Sequence, residues 1–483
     1  MHFPSKKTKI VCTIGPASES KEVLVGMIKA GMNVARLNFA HGDFESHARV
    51  IENIREGVAQ TGLRVALMGD LPGPKIRIGQ LAEEPVELER GQPFILQTND
   101  IVGDNRRASL SFRGLPSAVQ PGDEIYINDG FIQLRVDQVK GDEVHCLVKV
   151  GGPLLSHKGV NFPGIDLGIS AFTDRDRELL SFAAEQKLDA ISQSFVQCPE
   201  DVEAVRSAAL ALDYKPFLIA KIERSQALKN LNDILAVTDG IMVARGDLGV
   251  EIPIEEIAAT QKRMIRQANL CSKPVITATH MLESMTVHSR PTRAEVTDVA
   301  NAILDGTDCV MLSGETAMGT FPVEAVATMT RIAQVTEPEV RAPDLPRLLR
   351  TAKASGEISH KDLVSLSICL TVSATDPVAV VTPTLSGSTA RRLARFRLKK
   401  WIVAVSPNES TCQALQFSYG VDAVHERGRP ESWQTYTRDW LAEHGLTEGL
   451  AILTHGSGTV LGGGTNQIEI VDLGHPPDDL FVW

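Results

Sequence analysis

Eight short apolar runs alternate with stretches of helical periodicity, and no other feature limits so tightly what this 483-residue chain can fold into. The runs are TKIVCTIG (8–15), NVARLNF (33–39), RVALMGD (64–70), LDAISQSF (188–195), PFLIAKIE (216–223), GIMVARGD (240–247), PVITATH (274–280) and CVMLSGE (309–315). Each has strand length, and most of the intervals have the length and amphipathic pattern of a crossover helix. The clearest helix is expected over 293–305. Thr292 and Glu295 form a capping box, Val296, Val299, Ala300, Ile303 and Leu304 keep a helical stripe, and Gly306 ends it. Eight β–α units in series predict an α/β chain built on a TIM (β/α)8 barrel. Chemistry in that fold gathers at the C-terminal ends of the strands. Arg36, Asn38, Asp70, Lys221, Glu223, Asp247 and Thr279 all fall there.

One interval breaks the alternation. Residues 71–168 carry strand-like pieces (PFILQ, DEIYINDGFIQLRV, EVHCLVKV, HKGVNFPG) and Gly/Asp turns but no long helical pattern. We read 71–167 as a small β-barrel lid inserted after the third barrel strand, overhanging the barrel mouth. The barrel itself takes 1–70 and 168–340. After the charged, Pro-containing stretch from Pro338 to Lys361, the strands VAVVTPT, WIVAVS and LAILTH alternate with helices at Ser388–Arg397, Thr411–Ser418 and Tyr436–His444. That pattern predicts a C-terminal α/β domain, 341–483. About three domains also match the chain length.

A hydrophobic share of 43% suits a globular protein, and a net charge of −11 argues against a nucleic-acid surface. No apolar run approaches a membrane span or a signal peptide. The seven scattered cysteines contain no CxxC and suit free thiols in a reducing cytoplasm.

The chemistry is concentrated in FLIAKIE (217–223) and IMVARGDLG (241–249). Residues two apart on a strand share a face, so Lys221 and Glu223 point the same way. Charges that end apolar strands are rarely core filler, because burying them unpaired is costly. Glu223 and Asp247 offer hard oxygen ligands of the kind Mg²⁺ uses together with substrate phosphate oxygens. Phosphoryl transfer needs a metal, cations on the moving group and further cations for a nucleotide. Lys221 and Arg36 are candidates for the first set of cations. Arg77 and Lys158, on the lid hinge and lid, are candidates for the second.

TKIVCTIGPAS, GMNVARLNFAHG, GPKIRIG, KGVNFPG, AKIE, ARGDLGVEIP, TATHMLESM and RPTRAEVTDVANAILDGTDCVMLSGETA follow one another across nearly the whole chain. In content and order they closely resemble the signature blocks of the pyruvate kinase family. The resemblance implies phosphoryl transfer from phosphoenolpyruvate to ADP, giving pyruvate and ATP, in a homotetramer. It implies Mg²⁺, with Mn²⁺ as an alternative, on Glu223 and Asp247. It puts Lys221 and Arg36 on the transferring phosphoryl group. Ser194, the Gly246–Asp247 backbone and Thr279 come to the substrate carboxylate, and Thr279 also relays the proton through water. Pro16, Asn38, His41, Arg77 and Lys158 fall on the nucleotide side.

Three positions depart from the family's usual pattern for binding K⁺. Ala40 and Leu71 stand where Ser and Thr are usual, and Lys75 stands where the GPEIR block has Glu. The Lys75 ammonium is expected to replace the ion, so no K⁺ requirement is expected. His280 stands where Gln is frequent and is expected to alter at most the pH dependence. Thr384, Ser386, Gly387, Ser388 and Thr389 lie between a strand and a helix and suit a phosphate. They resemble the family's effector loop, and a sugar phosphate or AMP is the expected class of ligand. The Gly-rich segment Gly456–Asn466 matches its cover. The basic run Arg391, Arg392, Arg395, Arg397, Lys399 and Lys400 reads as a solvated helix face, an effector rim or a subunit contact. Two other functions compete. A metal-dependent aldolase-type barrel would not need Arg77 and Lys158 on a lid. A silent sensor would be expected to lack Lys221, Glu223 or Asp247.

Overall fold

Strands β1 (Lys9–Ile14), β2 (Val34–Asn38) and β3 (Ala66–Leu71) open the barrel in the computed structural model. The structure describes residues 3–340, 359–456 and 465–474. The chain then leaves the C-terminal end of β3 and forms β4 (Val86–Leu88), β5 (Pro93–Gln97), β6 (Arg107–Ser109), β7 (Glu124–Ile127), β8 (Ile132–Lys140), β9 (Glu143–Val150), β10 (Gly152–Leu154) and β11 (Val160–Asn161). It returns for β12 (Ala190–Gln193), β13 (Phe217–Ile222), β14 (Gly240–Ala244), β15 (Val275–Ala278) and β16 (Cys309–Leu312). The ring β1-β16-β15-β14-β13-β12-β3-β2 is closed, and each of its pairings is parallel. All eight expected strands are therefore present.

The inserted strands form a six-stranded sheet, β11-β7-β8-β9-β5-β6, and a ribbon, β10-β4, around their own apolar core of Phe94, Leu134, Val144 and Phe162. The tip of the β7–β8 hairpin reaches back to the barrel: a Cβ on Gly130 would lie 3.6 Å from Val250. The helix Arg293–Leu304 has the expected Thr292/Glu295 capping box. Its buried stripe is Val299, Ala302 and Ile303, whereas Val296 and Leu304 face solvent and Ala300 is half-buried. The helix lies against β16 and the helix Pro322–Thr336, which cover a narrower arc than five apolar residues would fill.

The C-terminal domain contains β17 (Ala379–Pro383), β18 (Trp401–Ser406), β19 (Val421–His425), β20 (Leu450–His455) and β21 (Gln467–Asp472), ordered β19-β18-β17-β20-β21. It docks on the N-terminal base of the barrel. Phe417 enters the apolar cluster inside the barrel and stacks on Phe217, with ring centroids 5.3 Å apart. The basic run turns inward here. Arg391 lies over Phe217, Arg395 donates to Leu270 O, and Arg397 donates to Asp308 at the foot of β16. This is an intramolecular joint, so the solvated-face expectation is corrected for these three residues. A run of cations looks like surface in sequence, and only docking reveals the carboxylate and carbonyls that take it in. The stretch 341–358 and most of the Gly-rich segment 456–466 lie outside the described residues.

Candidate active site

Five strand ends at the barrel mouth contribute to one buried polar network. Arg36 projects from β2 and donates through Nε to Asp70 Oδ2 at 3.0 Å, with a second, shorter contact through Nη2. Its Nη1 donates to Thr13 Oγ1 at 2.8 Å. Asp70, near the end of β3, also accepts from Ser192 Oγ at 2.6 Å and lies 3.4 Å from Lys221 Nζ. Lys221 on β13 donates to Ser194 Oγ at 2.7 Å and pairs with Glu223 Oε1 at 2.9 Å. The second oxygen of Glu223 accepts the Phe195 N–H at 2.8 Å. The same-face argument for Lys221 and Glu223 thus appears as a direct ion pair.

The electrostatics follow from burial and neighbours. Burial acts against the Lys221 ammonium, but Asp70 and Glu223 overcome it and hold its pKa above the usual lysine value. Burial likewise pushes the Asp70 carboxyl up, and Lys221 and Arg36 bring it below the ordinary range. Glu223 goes the other way. Burial and the nearby Asp247 charge raise its pKa, only partly offset by Lys221. A carboxylate pair that is unfavourable as two bare charges suits a divalent cation between them.

Asp247 is the third residue of the short helix Arg245–Glu251, which starts directly after β14. No cluster of three or more acidic, His or Cys groups occurs among the described residues. The candidate donor set is Glu223 with Asp247, whose charge acts on it; Mg²⁺ commonly takes one or two carboxylates from protein while leaving positions for water and phosphate oxygens. The residues present fit that ion.

Thr279 lies one residue beyond β15 with φ +68°, followed by His280 at +53°. A β-branched residue in the left-handed region is strained, and such strain persists only where the surroundings hold it. Arg245 supplies the hold: it donates to Thr279 O at 2.6 Å and Ala278 O at 3.1 Å, and its Nη1 is anchored on Asp298 at 2.7 Å. The Thr279 hydroxyl accepts the Gly246 N–H at 2.8 Å. The nearest atoms to a Cβ on Gly246 would belong to Thr279, at ordinary contact distance of 3.5–3.7 Å, so the backbone here is not crowded.

Other expected site residues stand apart from the network. Pro16 and His41 are exposed on loops after β1 and β2, and the Asn38 side chain accepts the Ala40 N–H at 3.3 Å. Arg77 and Lys158 lie on adjacent segments of the lid hinge, with Arg77 donating to His157 O at 2.9 Å. Lys75 is exposed beside Gly159 of the lid, while Asp70 is taken by Arg36, Lys221 and Ser192. In the C-terminal domain, Thr384 accepts the Gly387 N–H at 2.9 Å, Ser386 O accepts from Arg391, and Thr389 shares a hydrogen bond with Thr465. Gly387 has φ +74° and opens the helix Ser388–Ala394. Sequence reasoning missed Arg245 as the clamp on Thr279 and Phe195 as a donor to Glu223. Phe195, next to Ser194 at a strand end, carried only the weak signal of its position.

Comparison with known proteins agrees with this arrangement. The family described as "Pyruvate kinase, barrel domain" matches residues 5–326, and "Pyruvate kinase, alpha/beta domain" matches residues 362–471. A pyruvate kinase of Thermococcus litoralis is 49% identical over 422 residues, covering 87% of this chain and 89% of the relative. One of Clostridium acetobutylicum is 39% identical over 471 residues, covering 96% and 99%. The crystal structure of a pyruvate kinase from Cryptosporidium parvum superposes with a TM-score of 0.89 at 37% identity, covering 97% of this chain and 96% of that one. With both domains matched over most of their length, the chain belongs to the pyruvate kinase family and is a phosphotransferase.

Proposed function

We propose that this chain transfers the phosphoryl group of phosphoenolpyruvate to ADP, yielding pyruvate and ATP. The observation that carries the reading is Lys221: a buried, charged ammonium linked at once to Asp70, Ser194 and Glu223, the last of which feels the charge of Asp247. Glu223 and Asp247 would hold Mg²⁺, whose chemistry there is neutralisation of phosphoryl oxygens; Mn²⁺ would serve the same donors. Lys221 and Arg36 place positive charge along the phosphoryl path. The bond from phosphorus to the enol oxygen breaks as a bond to the terminal ADP oxygen forms. Ser194, the Gly246–Asp247 backbone and Thr279 orient the substrate carboxylate. Thr279 lies on the side from which a proton, carried by water, reaches the enolate carbon. Pro16, Asn38 and His41 face the nucleotide, and Arg77 and Lys158 approach with the lid, excluding water. A coupled pyruvate-formation assay requiring both ADP and Mg²⁺ tests this. Glu223→Gln with wild-type turnover would refute it.

The reaction runs without K⁺ in our reading. Ala40 and the fully buried Leu71 offer no side-chain oxygen, and the ammonium of Lys75, an exposed residue beside Gly159 of the lid, would supply the ion's charge. A rise above about tenfold on adding K⁺ to a potassium-free assay would overturn this. We further read the Thr384–Thr389 loop, with its hydroxyls and helix start, as the seat of a phosphorylated effector. A kinetic screen of sugar phosphates and AMP that leaves the enzyme unmoved would remove that reading. Seven free thiols suit a cytoplasmic setting, and a homotetramer is expected by light scattering.

A further inference from the structure

Directly after Glu223, Arg224 is buried, at 6% exposure, between the Phe195 loop and the helix that carries Asp247. Its guanidinium lies 5.3 Å from the centroid of the Phe195 ring. Phe195 is itself held at φ +58°, and its N–H is the donor to Glu223 Oε2. On the other side, Arg224 Nη1 lies 3.9 Å from Glu251 Oε1, and Glu251 is 7% exposed. Glu251 closes the seven-residue helix that carries Asp247 in its first turn. Arg224 therefore touches the loop that orients one acidic group and the helix that presents the other.

Two atoms of this pair are unsatisfied. Arg224 Nε and Glu251 Oε1 are both buried with no hydrogen-bond partner. Both residues line a small, partly open cavity of about 40 Å³ that also includes Gly164, Ile165 and Asp166, where the lid returns to the barrel. The contacts of the Arg224 side chain are with Phe195 and Glu251, so its influence on the site runs through them. A guanidinium is suited to this task. Its flat face covers an aromatic ring while its edge addresses a carboxylate, and an ammonium reproduces only the charge.

We propose that Arg224 is a positioning residue for the divalent-metal site. It holds the Phe195 N–H on Glu223 and, through Glu251, fixes the helix bearing Asp247, so that the two carboxylates keep a spacing one ion can bridge. Partners behind a metal ligand typically change metal affinity by about 10- to 100-fold when removed. The inference rests on the reading of Glu223 and Asp247 as metal ligands.

The test is direct Mn²⁺ titration of the substrate-free protein, with free ion followed by electron paramagnetic resonance and folding checked by circular dichroism. Wild type is expected to bind saturably and Glu223→Gln to lose the site. Arg224→Met should raise the Mn²⁺ Kd at least tenfold, Arg224→Lys less, and Glu251→Gln in the Arg224→Met background should add no further loss. A purely structural role would lower Tm and leave the Kd of the folded variant alone. Binding within twofold of wild type by folded Arg224→Met overturns the proposal. Should Arg224→Met not fold, Arg224→Lys and Glu251→Gln decide it: unchanged Kd in both overturns it, and a weakened Kd in either upholds it. Equal binding by wild type and Glu223→Gln would instead overturn the metal reading itself.

Discussion

Replacing Arg397 with Met should detach the C-terminal domain from the barrel more than any surface change at the same joint. Arg397 is 8% exposed and donates to both oxygens of Asp308, at 2.7 and 2.9 Å, to Asn269 Oδ1 at 2.8 Å, and to Gly306 O. It also lies 5.0 Å from the Tyr419 ring centroid. Removing one partner of a buried ion pair typically costs about 3–5 kcal/mol, because the other charge stays buried. Asp308 retains the N–H groups of Tyr419 and Val275, at 2.9 and 3.1 Å, so we expect about 3 kcal/mol. With a urea slope of about 1.5–2 kcal/mol/M for a domain of this size, the midpoint should fall by about 1.5–2 M. The assay reports the correct domain without labels, since all four tryptophans (Trp401, Trp433, Trp440, Trp483) lie in the C-terminal part of the chain. Adding Asp308→Asn should recover part of the loss by removing the stranded charge. The control is Arg64→Met. Arg64 also bridges the domains, to Glu409, but Glu409 is half exposed, and such pairs are worth about 0–1 kcal/mol. If Arg397→Met shifts the tryptophan transition no further than Arg64→Met, the buried-charge reasoning is wrong.

Further outcomes follow from single sites. Burial raises the Asp189 carboxyl to about 6 even though it accepts the Leu67 N–H at 2.7 Å. A raised folded pKa means stability that is fully present below the unfolded value near 4 and is lost as pH rises through about 6. Asp189→Asn should therefore gain on wild type by up to about 3 kcal/mol between pH 4 and 8 in denaturation curves, and parallel pH profiles would contradict this. Lys221→Met should lower kcat by about 10² or more in the coupled assay at saturating substrate, whereas a change confined to KM would show that the ammonium serves ground-state binding alone. Gly387→Ala forces a side chain into φ +74°, with its Cβ 2.8 Å from Arg391 Nη1 and 3.0 Å from a Leu415 methyl. We expect a loss of about 1–2 kcal/mol by tryptophan fluorescence, and no loss would show that this loop rearranges freely.

The barrel could be read from the chain because its information is local. Each strand is a short apolar run, and all but β3, where the lid is inserted, run directly on to a helix. Lys221 and Glu223 were legible for the same reason, since period-two geometry alone put them on one face. The C-terminal domain was less transparent. The helix His360–Thr375 was not foreseen: it mixes Ser and Thr with apolar residues, and Ser365, Ser367, Thr371, Ser373 and Thr375 return their hydroxyls to the carbonyl one turn back. Strand β19 was missed too, being half-buried and short, and so was β21, the antiparallel edge of the sheet.

By itself, then, the order of residues determined the closed eight-stranded barrel, the place of the inserted β lid, and the strand ends at which charge gathers. Periodicity and burial cost act within a few residues and need no knowledge of the rest. Tertiary structure alone decided which charge meets which. Arg36 and Lys221 share Asp70, Arg245 holds Thr279 in a strained turn, and Arg397 crosses from one domain to a carboxylate in another. Those pairings join residues from 34 to 151 positions apart. An ion pair depends on distance in space and on the loss of water around it, and neither exists until the chain has packed.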